Sequence, residues 1–571
     1  MAIFTPSESP AIITKEIDLS GVVPNVQSTT GAIVGNFRWG PVNQATKVSN
    51  ETDLAAKFGT PDITTSNDFH QAAYFLRYSG DLRVVRAATT AAKNAGAMDP
   101  GDTLTAPTVK NDDDFESQVA QLATDDIRFI SKYPGSLGNS LSVAICPPDS
   151  AAFAGWTYKS SFDAVPNTSS YAADRGGSKD EVHIVVVDTD GVFTGSAGAV
   201  LETYPYVSIN SDAKNADGSS NYALDVINSA SSYIKMASWP STWVRGGLVV
   251  TAAAQTTLSA TETYALAGGV DSGALTTSQY ATGFDFFEDV DTIQVDFLIA
   301  PGLSSAADQT TVVNDMVSIA QETRKDCVVV ASPPRSDVVG AADPVTATVD
   351  GVANFTRSSY LVVDNNYLKV YDKYNDQYIT IPAASSTAGL MAATDLNQAP
   401  WFSPAGQRRG NYLGITGLAY TPTKAQRDTL YKAGVNPIAN LPGQGILLFG
   451  DKTHLARPSA FDRINVRRLF LVVERAIALA ARNVMFEFND EFTRAEFVNI
   501  VEPFLREIKG RRGITDFRVV CDETNNTAAV IDRNEFIANI FIKPARSINF
   551  VTLNFVAVRT GVDFEEVVGT V

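Results

Sequence analysis

The chain has 571 residues and a formal net charge of −18; hydrophobic residues make up 44% of it and charged residues 19%. This length predicts about three to four domains, and the composition is that of a folded protein rather than a disordered one. An acidic excess of this size argues against general binding to nucleic acids or anionic membranes, because neutralising phosphates needs clustered Lys and Arg.

Cysteines are few and widely separated, since the chain holds only Cys146, Cys327 and Cys521. This excludes a disulfide framework and a local cysteine zinc site, and it fits folding in a reducing cytoplasm. The N-terminus lacks a basic stretch followed by a long apolar run, so we expect no secretory signal. No window reaches the roughly 18 consecutive apolar residues of a membrane helix, so we expect no membrane insertion.

The first predicted elements are an extended segment over residues 12–19, strands over 31–35 and 81–86, and an amphipathic helix over 67–78. The helix follows from apolar residues at helical spacing, with Asn67 or Asp68 as its N-cap. From about residue 87 to residue 265 the chain is rich in Ala, Ser, Thr, Gly and Asp, with short β-like runs. This texture predicts a β-rich insertion displayed on the surface, in which Asp112–Asp114 is a solvated acidic turn.

Residues 290–332 predict a β-α-β unit. Apolar strands over 293–300 and 327–331 flank a helix over 311–324. Because both strands are continuously apolar, we expect them to pair in parallel and to be buried on both faces.

The C-terminal part predicts two helices followed by antiparallel strands. The first helix covers residues 464–482, and a capping box at Thr493–Glu496 opens a second helix that ends near Gly510. The predicted strands cover 517–521, 536–542 and 548–558.

Motifs for nucleotide binding, zinc proteolysis and serine hydrolysis are absent from the sequence. His70, His183 and His454 lie far apart, and we interpret them as structural or surface residues. We therefore expect no catalytic, cofactor-binding or metal-binding residues and no cofactor. An α/β enzyme without a recognisable motif stays open as an alternative of another class, because carboxylates distant in sequence can still pair in the fold.

A set of motifs runs in order along nearly the whole chain. They are Trp39-Gly-Pro41 within residues 28–42, Glu51–Pro61, Phe75–Tyr78, Lys132–Asn139, Leu266–Asp271, Pro400–Gly410, Asn465–Leu469 and Glu487–Asp490. In these segments the chain resembles the contractile phage tail sheath proteins. Each motif alone is weakly specific, and their shared order makes the resemblance strong.

The resemblance implies a structural virion protein and no enzyme. Subunits of this family stack as hexameric rings in a helical array around a tail tube, and they contract to drive the tube through the host envelope for genome ejection. The implied partners are further copies of the chain, the tail tube protein, and baseplate and tail terminator proteins, with assembly in the host cytoplasm and no direct contact with nucleic acid. The sheath of a non-phage contractile injection particle is the nearest alternative.

The implied fold is multi-domain, both α/β and α+β. It has a central α/β core, a β-rich outer insertion and a C-terminal α+β domain completed by strand exchange between subunits. The expected layout is an N-terminal arm over residues 1–20 that joins the C-terminal domain, a middle domain of 21–86 plus 266–444, an outer insertion of 87–265, and an inner C-terminal domain of 445–571 that includes a C-terminal arm.

Two extended, moderately apolar segments are the candidate arms. An isolated apolar strand exposes unpaired backbone groups and tends to aggregate. Pairing with a neighbouring subunit's sheet satisfies those groups. The alternative is that both segments are ordinary edge strands within one subunit. The expected arm residues are Ile12, Ile13, Thr14, Lys15, Glu16, Ile17, Val551, Leu553, Phe555 and Val556.

The densest basic cluster is formed by Arg506, Lys509, Arg511 and Arg512 at the end of the second C-terminal helix. From Leu455 onward, 16 basic residues match 16 acidic ones, so the whole acidic excess lies earlier in the chain. In the resembling family the C-terminal domain touches the tube, and we expect this cluster to face acidic tube residues. The alternative is simple capping, because cationic side chains favour a helix C-terminus.

Overall fold

The structure is a computed structural model, and it describes residues 28–99, 102–239 and 260–549. These residues divide into two compact units. The C-terminal unit holds residues 401–403 and 477–549, and the main unit holds the other described residues. The candidate arm residues 12–17 and 551–556 lie outside the described residues.

The strands are β1 (Gly31–Gly35), β2 (Ala45–Val48), β3 (Leu82–Arg86), β4 (Gly96–Met98), β5 (Ile127–Ser131), β6 (Leu141–Cys146), β7 (Glu181–Asp188), β8 (Ala199–Ser208), β9 (Ile234–Met236), β10 (Glu262–Ala265), β11 (Phe297–Ile299), β12 (Val328–Ala331), β13 (Leu361–Val363), β14 (Tyr367–Asp372), β15 (Gln377–Pro382), β16 (Gly417–Leu418), β17 (Ile438–Leu441), β18 (Gly445–Leu448), β19 (Ile514–Val520) and β20 (Asn539–Pro544).

The helices are α1 (Glu51–Phe58), α2 (Ser66–Phe75), α3 (Asp112–Thr124), α4 (Ser150–Gly155), α5 (Ser170–Ala173), α6 (Ala223–Ala230), α7 (Thr277–Asp285), α8 (Ala306–Ser318), α9 (Arg335–Val338), α10 (Pro344–Val352), α11 (Ala384–Asn397), α12 (Lys424–Lys432), α13 (Ile464–Ala481), α14 (Glu491–Gly510) and α15 (Ala528–Ile531). A π-helical turn, Ile319–Arg324, continues α8.

The main unit is built on a six-stranded sheet in the order β13-β12-β11-β1-β3-β2, in which only β2 is antiparallel to its neighbour. Successive residues of β1 point to opposite faces, and both faces are buried: Ala32 and Val34 join one hydrophobic cluster and Ile33 joins the other. The predicted parallel β-α-β unit is confirmed as β11-α8-β12. Its first strand, Phe297–Ile299, is shorter than the predicted 293–300.

Helix α2 occupies the place of the helix predicted over 67–78, with two differences. It begins at Ser66 after Thr65, so Asn67 and Asp68 are inside it rather than at its cap. It is also buried nearly all round instead of on one face, because Phe69 and Ala72 share a core with the sheet and with Ala388 of α11.

The segment predicted as a β-rich insertion contains a four-stranded antiparallel sheet, β10-β6-β7-β8, and a three-stranded one, β4-β5-β9. The interpretation of Asp112–Asp114 as a solvated turn is wrong. These residues open α3, where the side chain of Asn111 accepts a hydrogen bond from the backbone N–H of Asp114 at 3.0 Å. Carboxylates in a first helical turn complement the helix dipole.

The two long C-terminal helices were predicted closely. Helix α13 covers Ile464–Ala481, and α14 ends at Gly510 as expected. The capping box at Thr493 is wrong, because α14 begins two residues earlier: the side chain of Asp490 is the N-cap and accepts from the backbone N–H of Thr493 at 2.8 Å. Strands β19 and β20 pair antiparallel as predicted, whereas residues 550–558 of the last predicted strand lie outside the described residues.

The buried carboxyl group of Asp364, in the core of the main unit, makes the stability of the fold depend on pH. Burial raises the pKa of Asp364 to about 7, although its oxygens accept hydrogen bonds from the hydroxyls of Ser332 (2.9 Å) and Thr387 (3.2 Å). The unfolded chain has the ordinary value of about 3.9. The folded protein therefore binds an extra proton between these values, and the stability that this proton supplies is lost as the pH rises through about 7.

We expect the free energy of unfolding to fall by roughly 1.5 kcal/mol between pH 6 and pH 8.5 from Asp364 alone. The side chains of Asp68 and Asp395, whose pKa values burial raises to about 6, add to the same trend. Denaturant titrations at both pH values measure the change. The Asp364→Asn variant should lose most of this dependence, and an unaltered slope in that variant would contradict the assignment.

Candidate assembly surface of the C-terminal unit

The C-terminal unit presents a two-stranded hairpin backed by a helix. Strands β19 and β20 run antiparallel with Phe517 opposite Ile542, and within the described residues each pairs with the other only. Helix α14 packs against β19 and buries Phe497, Val501 and Leu505. A two-stranded sheet leaves two strand edges with backbone groups that a further strand can pair with.

Apolar side chains are exposed next to this hairpin. The segment 485–492, which follows α13 and runs into the first turn of α14, is here called the aromatic loop. Met485, Phe486, Phe488 and Phe492 of this loop expose 59, 101, 84 and 76% of their surface. Contiguous exposed apolar surface of this kind marks an interaction site in soluble proteins.

The aromatic loop is held in place by polar contacts rather than by its aromatic rings. The side-chain amide of Asn489 donates to the backbone carbonyl of Glu535 at 2.8 Å, and its oxygen accepts from Arg494 at 3.0 Å. The backbone of Phe486 has a φ of +71°, which is a strained conformation for a bulky residue. Strain and exposure at one residue together mark the loop as a candidate interaction site.

The sequence itself contains an indication of this loop. The run Glu487-Phe-Asn489-Asp490 belongs to the motifs that carry the family resemblance. In the loop around it, charged and amide side chains separate Phe486, Phe488 and Phe492, so Asn489 binds the rest of the unit while the rings face water.

The predicted basic cluster lies on the surface at the end of α14, and three of its four members are paired within the same unit. Arg506 lies 3.3 Å from Glu502, Lys509 lies 3.2 Å from Asp516, and Arg511 lies 3.4 Å from Glu507, measured between charged atoms. Exposed pairs of this kind contribute little to stability. They do lower the positive charge that the cluster offers to a partner.

The fourth member differs from the others. Arg512 follows the helix end with a φ of +68°, and within the described part of the chain it forms no ion pair. The cluster thus offers four basic side chains against three acidic ones. Its single excess charge belongs to Arg512.

The end of α14 is fixed by a tryptophan from residues 401–403. The indole N–H of Trp401 donates to the backbone carbonyl of Arg511 at 3.1 Å, and the Arg511 guanidinium lies 5.0 Å from the centre of the indole ring. This contact requires glycine at position 513, because a Cβ on Gly513 would lie 2.7 Å from Ile508 and 3.0 Å from Trp401. The basic cluster is therefore held on a rigid part of the unit.

The described residues 28–99, 102–239 and 260–549 contain no group of three His, Cys, Asp or Glu side chains placed to hold a metal ion. In the same ranges, no helix has the length and apolar character needed to cross a bilayer. All three histidines are buried, and His70 lies 3.1 Å from Asp372.

Comparison with known families gives matches to three family models. Residues 28–87 match the "Tail sheath protein Gp18 domain III N-terminal region", residues 273–454 match the "Phage tail sheath protein central domain", and residues 456–557 match the "Phage tail sheath C-terminal domain". The chain is also 34% identical to the tail sheath protein of Vibrio phage KVP40 and 34% identical to that of Enterobacteria phage T4. Each match covers 98% of this chain and 99% of the relative.

Solved structures share the fold. The crystal structure of a sheath tail protein from Listeria innocua is 14% identical and superposes with a TM-score of 0.56, covering 91% of this chain and 93% of that one. A sheath tail protein from Desulfitobacterium hafniense is also 14% identical, with a TM-score of 0.51 and coverage of 94% and 100%.

Proposed function

Since the chain belongs to the phage tail sheath protein family and is thus a structural component of the contractile phage tail, we propose that it stacks as hexameric rings around the tail tube and contracts to drive the tube through the host envelope. The observation that carries this proposal is the surface of the C-terminal unit, where an open-edged hairpin and the exposed aromatic loop lie in one compact unit. A surface of this kind is suited to repeated contacts with other copies of the chain.

The energy for contraction is stored in packing between subunits during assembly. Two packings of rigid subunits differ in free energy, and the links between subunits persist through the change. This mechanism needs no nucleotide, which agrees with the absence of a phosphate-binding loop motif from the sequence. The baseplate supplies the trigger, and the tail terminator closes the far end.

The links are strands exchanged between subunits. Residues 12–17 of one subunit and 551–556 of another add to the edges of the β19–β20 hairpin of a third. The aromatic loop of the same unit contacts a neighbouring subunit, because burying its rings requires apolar surface and the sheath supplies repeated copies of this chain. Residues 87–265 lie outermost, and residues 445–571 lie innermost with the N-terminal arm.

The basic cluster faces acidic residues of the tube, and Arg512 provides most of the attraction. Weak, solvated charge contacts suit this interface, because the sheath must hold the tube when extended and release it on contraction. Arg506, Lys509 and Arg511 already share their charge with acidic neighbours in the same unit.

We expect the Arg512→Glu variant to bind preformed tubes between about two- and fivefold more weakly, because an exposed charge contact becomes a repulsive one. Co-sedimentation of subunits with tubes at low and high salt measures the effect, and the wild-type protein should lose affinity as salt rises. Arg506→Glu is the matched control with a smaller effect. Equal losses in both variants would contradict the special position of Arg512.

Negative-stain microscopy of the purified protein tests the assembly itself. We expect striated tubular polymers, with cross-sections that show sixfold rings. A protein that stays monomeric at high concentration, alone and with tubes, would contradict the proposed function.

A further inference from the structure

The first residues that the structure describes, Ser28–Thr30, are buried although all three are polar. They lead directly into β1, which lies inside the six-stranded sheet between β11 and β3. The N-terminal arm predicted over residues 1–20 joins the rest of the chain through this segment. A pull on the arm would therefore reach the main unit at Ser28.

Ser28 is held by an ion pair that reaches it from α13. The guanidinium of Arg468 donates to both carboxylate oxygens of Asp395 and, at 2.9 Å, to the backbone carbonyl of Ser28. The hydroxyl of Ser28 donates in turn to Asp395 at 2.8 Å. The side chains of Arg468 and Asp395 are 5% and 2% exposed, so water competes weakly for these bonds.

Thr30 is held by a second ion pair from the same helix. Its backbone N–H donates to Asp296 at 3.0 Å, and the other oxygen of Asp296 accepts from Arg475 at 2.6 Å. The Thr30 hydroxyl donates to Asp81 at 2.9 Å. Arg468 and Arg475 are seven residues apart, so both lie on one face of α13.

Thr29, which lies between Ser28 and Thr30, is fixed as well, since the hydroxyl of Ser79 donates to the backbone carbonyl of Thr29 at 2.9 Å. Buried charged groups are expensive to desolvate, and replacing them by apolar residues is often neutral or stabilising. Stability alone therefore does not account for two buried ion pairs converging on three consecutive residues. A specific geometry at the start of β1 does account for them.

We propose that Arg468 and Arg475, with Asp395 and Asp296, form a mechanical anchor for the N-terminal arm. The anchor passes tension from the arm into the central strand β1 and into α13, which continues in sequence into the C-terminal unit. It keeps the entry to β1 from peeling away from the sheet when a neighbouring subunit pulls on the arm. Arg468 and Arg475 act here as positioning residues.

The role of the anchor in tension rests on the proposed function of the arm, whereas its local effect on Ser28–Thr30 does not. Hydrogen exchange of the full-length, unassembled subunit measures that local effect directly. In the Arg468→Gln variant we expect the peptide that covers residues 28–35 to exchange about tenfold faster, which corresponds to about 1.4 kcal/mol of local stability. The peptide that contains β13, in the same sheet, should change little.

Three further variants keep the test decisive. Arg468→Gln combined with Asp395→Asn leaves no uncompensated buried charge, so the subunit should fold while residues 28–35 still exchange faster. Arg463→Gln is the matched control, because it breaks a comparable ion pair, with Asp451 at 3.1 Å, that does not touch residues 28–30. Arg468→Lys should restore part of the protection, since it keeps the charge and loses the fork geometry.

Unchanged exchange at residues 28–35 in the folded double variant, or an equal increase in β13, would overturn the anchor. Sheath lengths test its mechanical part: we expect the double variant to form markedly shorter polymers than Arg463→Gln. Polymers of normal length from a variant with a loosened peptide 28–35 would overturn the role in tension. Failure of the arm proposal is seen separately, as normal polymerisation of a chain that lacks residues 1–20.

Discussion

Deleting residues 1–20 leaves a folded, soluble subunit that forms only short oligomers. We expect its melting temperature to stay within about 2 °C of the full-length value, because the deletion keeps every described member of the hydrophobic clusters of the main unit, the first of which is Ala32, and every described polar contact of the anchor, the first of which is at Ser28. The median sheath length should fall at least about tenfold, because the deletion removes one of the two strands that we propose to link subunits. Calorimetry and negative-stain microscopy give the two readouts.

Point variants distinguish the loss of strand pairing by the arm from the mere shortening of the chain. Along an extended arm, Ile13 and Ile17 share one face, while Ile12, Thr14 and Glu16 share the other. Ile13→Asp with Ile17→Asp should reproduce the deletion, because it places charges where a sheet edge needs apolar contacts. Glu16→Ala is the control and should assemble normally. Long sheaths from the truncated chain would show that the N-terminal arm is not a link.

The sheet of the main unit was predictable because its signal is local. Continuous apolar runs such as residues 327–331 have few alternatives to a buried parallel strand, and the structure confirms the pairing of β11 with β12. Element ends were less predictable. Asp490 and Thr493 can both cap a helix, and in the structure Asp490 is the cap while Thr493 is buried within the C-terminal unit.

The anchor illustrates what sequence patterns miss. No sequence pattern links Arg468 and Arg475 to the start of β1, because their partners are remote: Asp395 is 73 residues from Arg468, and Ser28 is 440 residues away. The aromatic loop was missed for a different reason. Phenylalanines in a mixed segment are usually core residues, and only the folded chain shows that Phe486 and Phe488 face water.

The second large effect on assembly is expected from substitutions in the aromatic loop. Replacing Phe486, Phe488 and Phe492 by Ser should abolish assembly while the isolated subunit keeps its stability, because these rings are mostly exposed and contribute little to its core. Covering one such ring completely contributes roughly 1.5–3 kcal/mol, so losing three should weaken a subunit contact by about a hundredfold or more. Sedimentation over a concentration series measures the shift in association.

The matched control, Phe497, lies on α14, on which Phe492 also lies. Phe497 is 3% exposed and meets Phe536 edge to face at 5.5 Å, so Phe497→Ser should destabilise the C-terminal unit by about 3–5 kcal/mol. The triple variant and this control therefore predict opposite outcomes: one keeps the fold and loses assembly, and the other loses the fold. Sheaths of normal length from the triple variant would show that the loop is not a subunit contact. The strained backbone of Phe486 would then need an explanation within the subunit. The ring is fully exposed there, so its packing does not compensate for the strain.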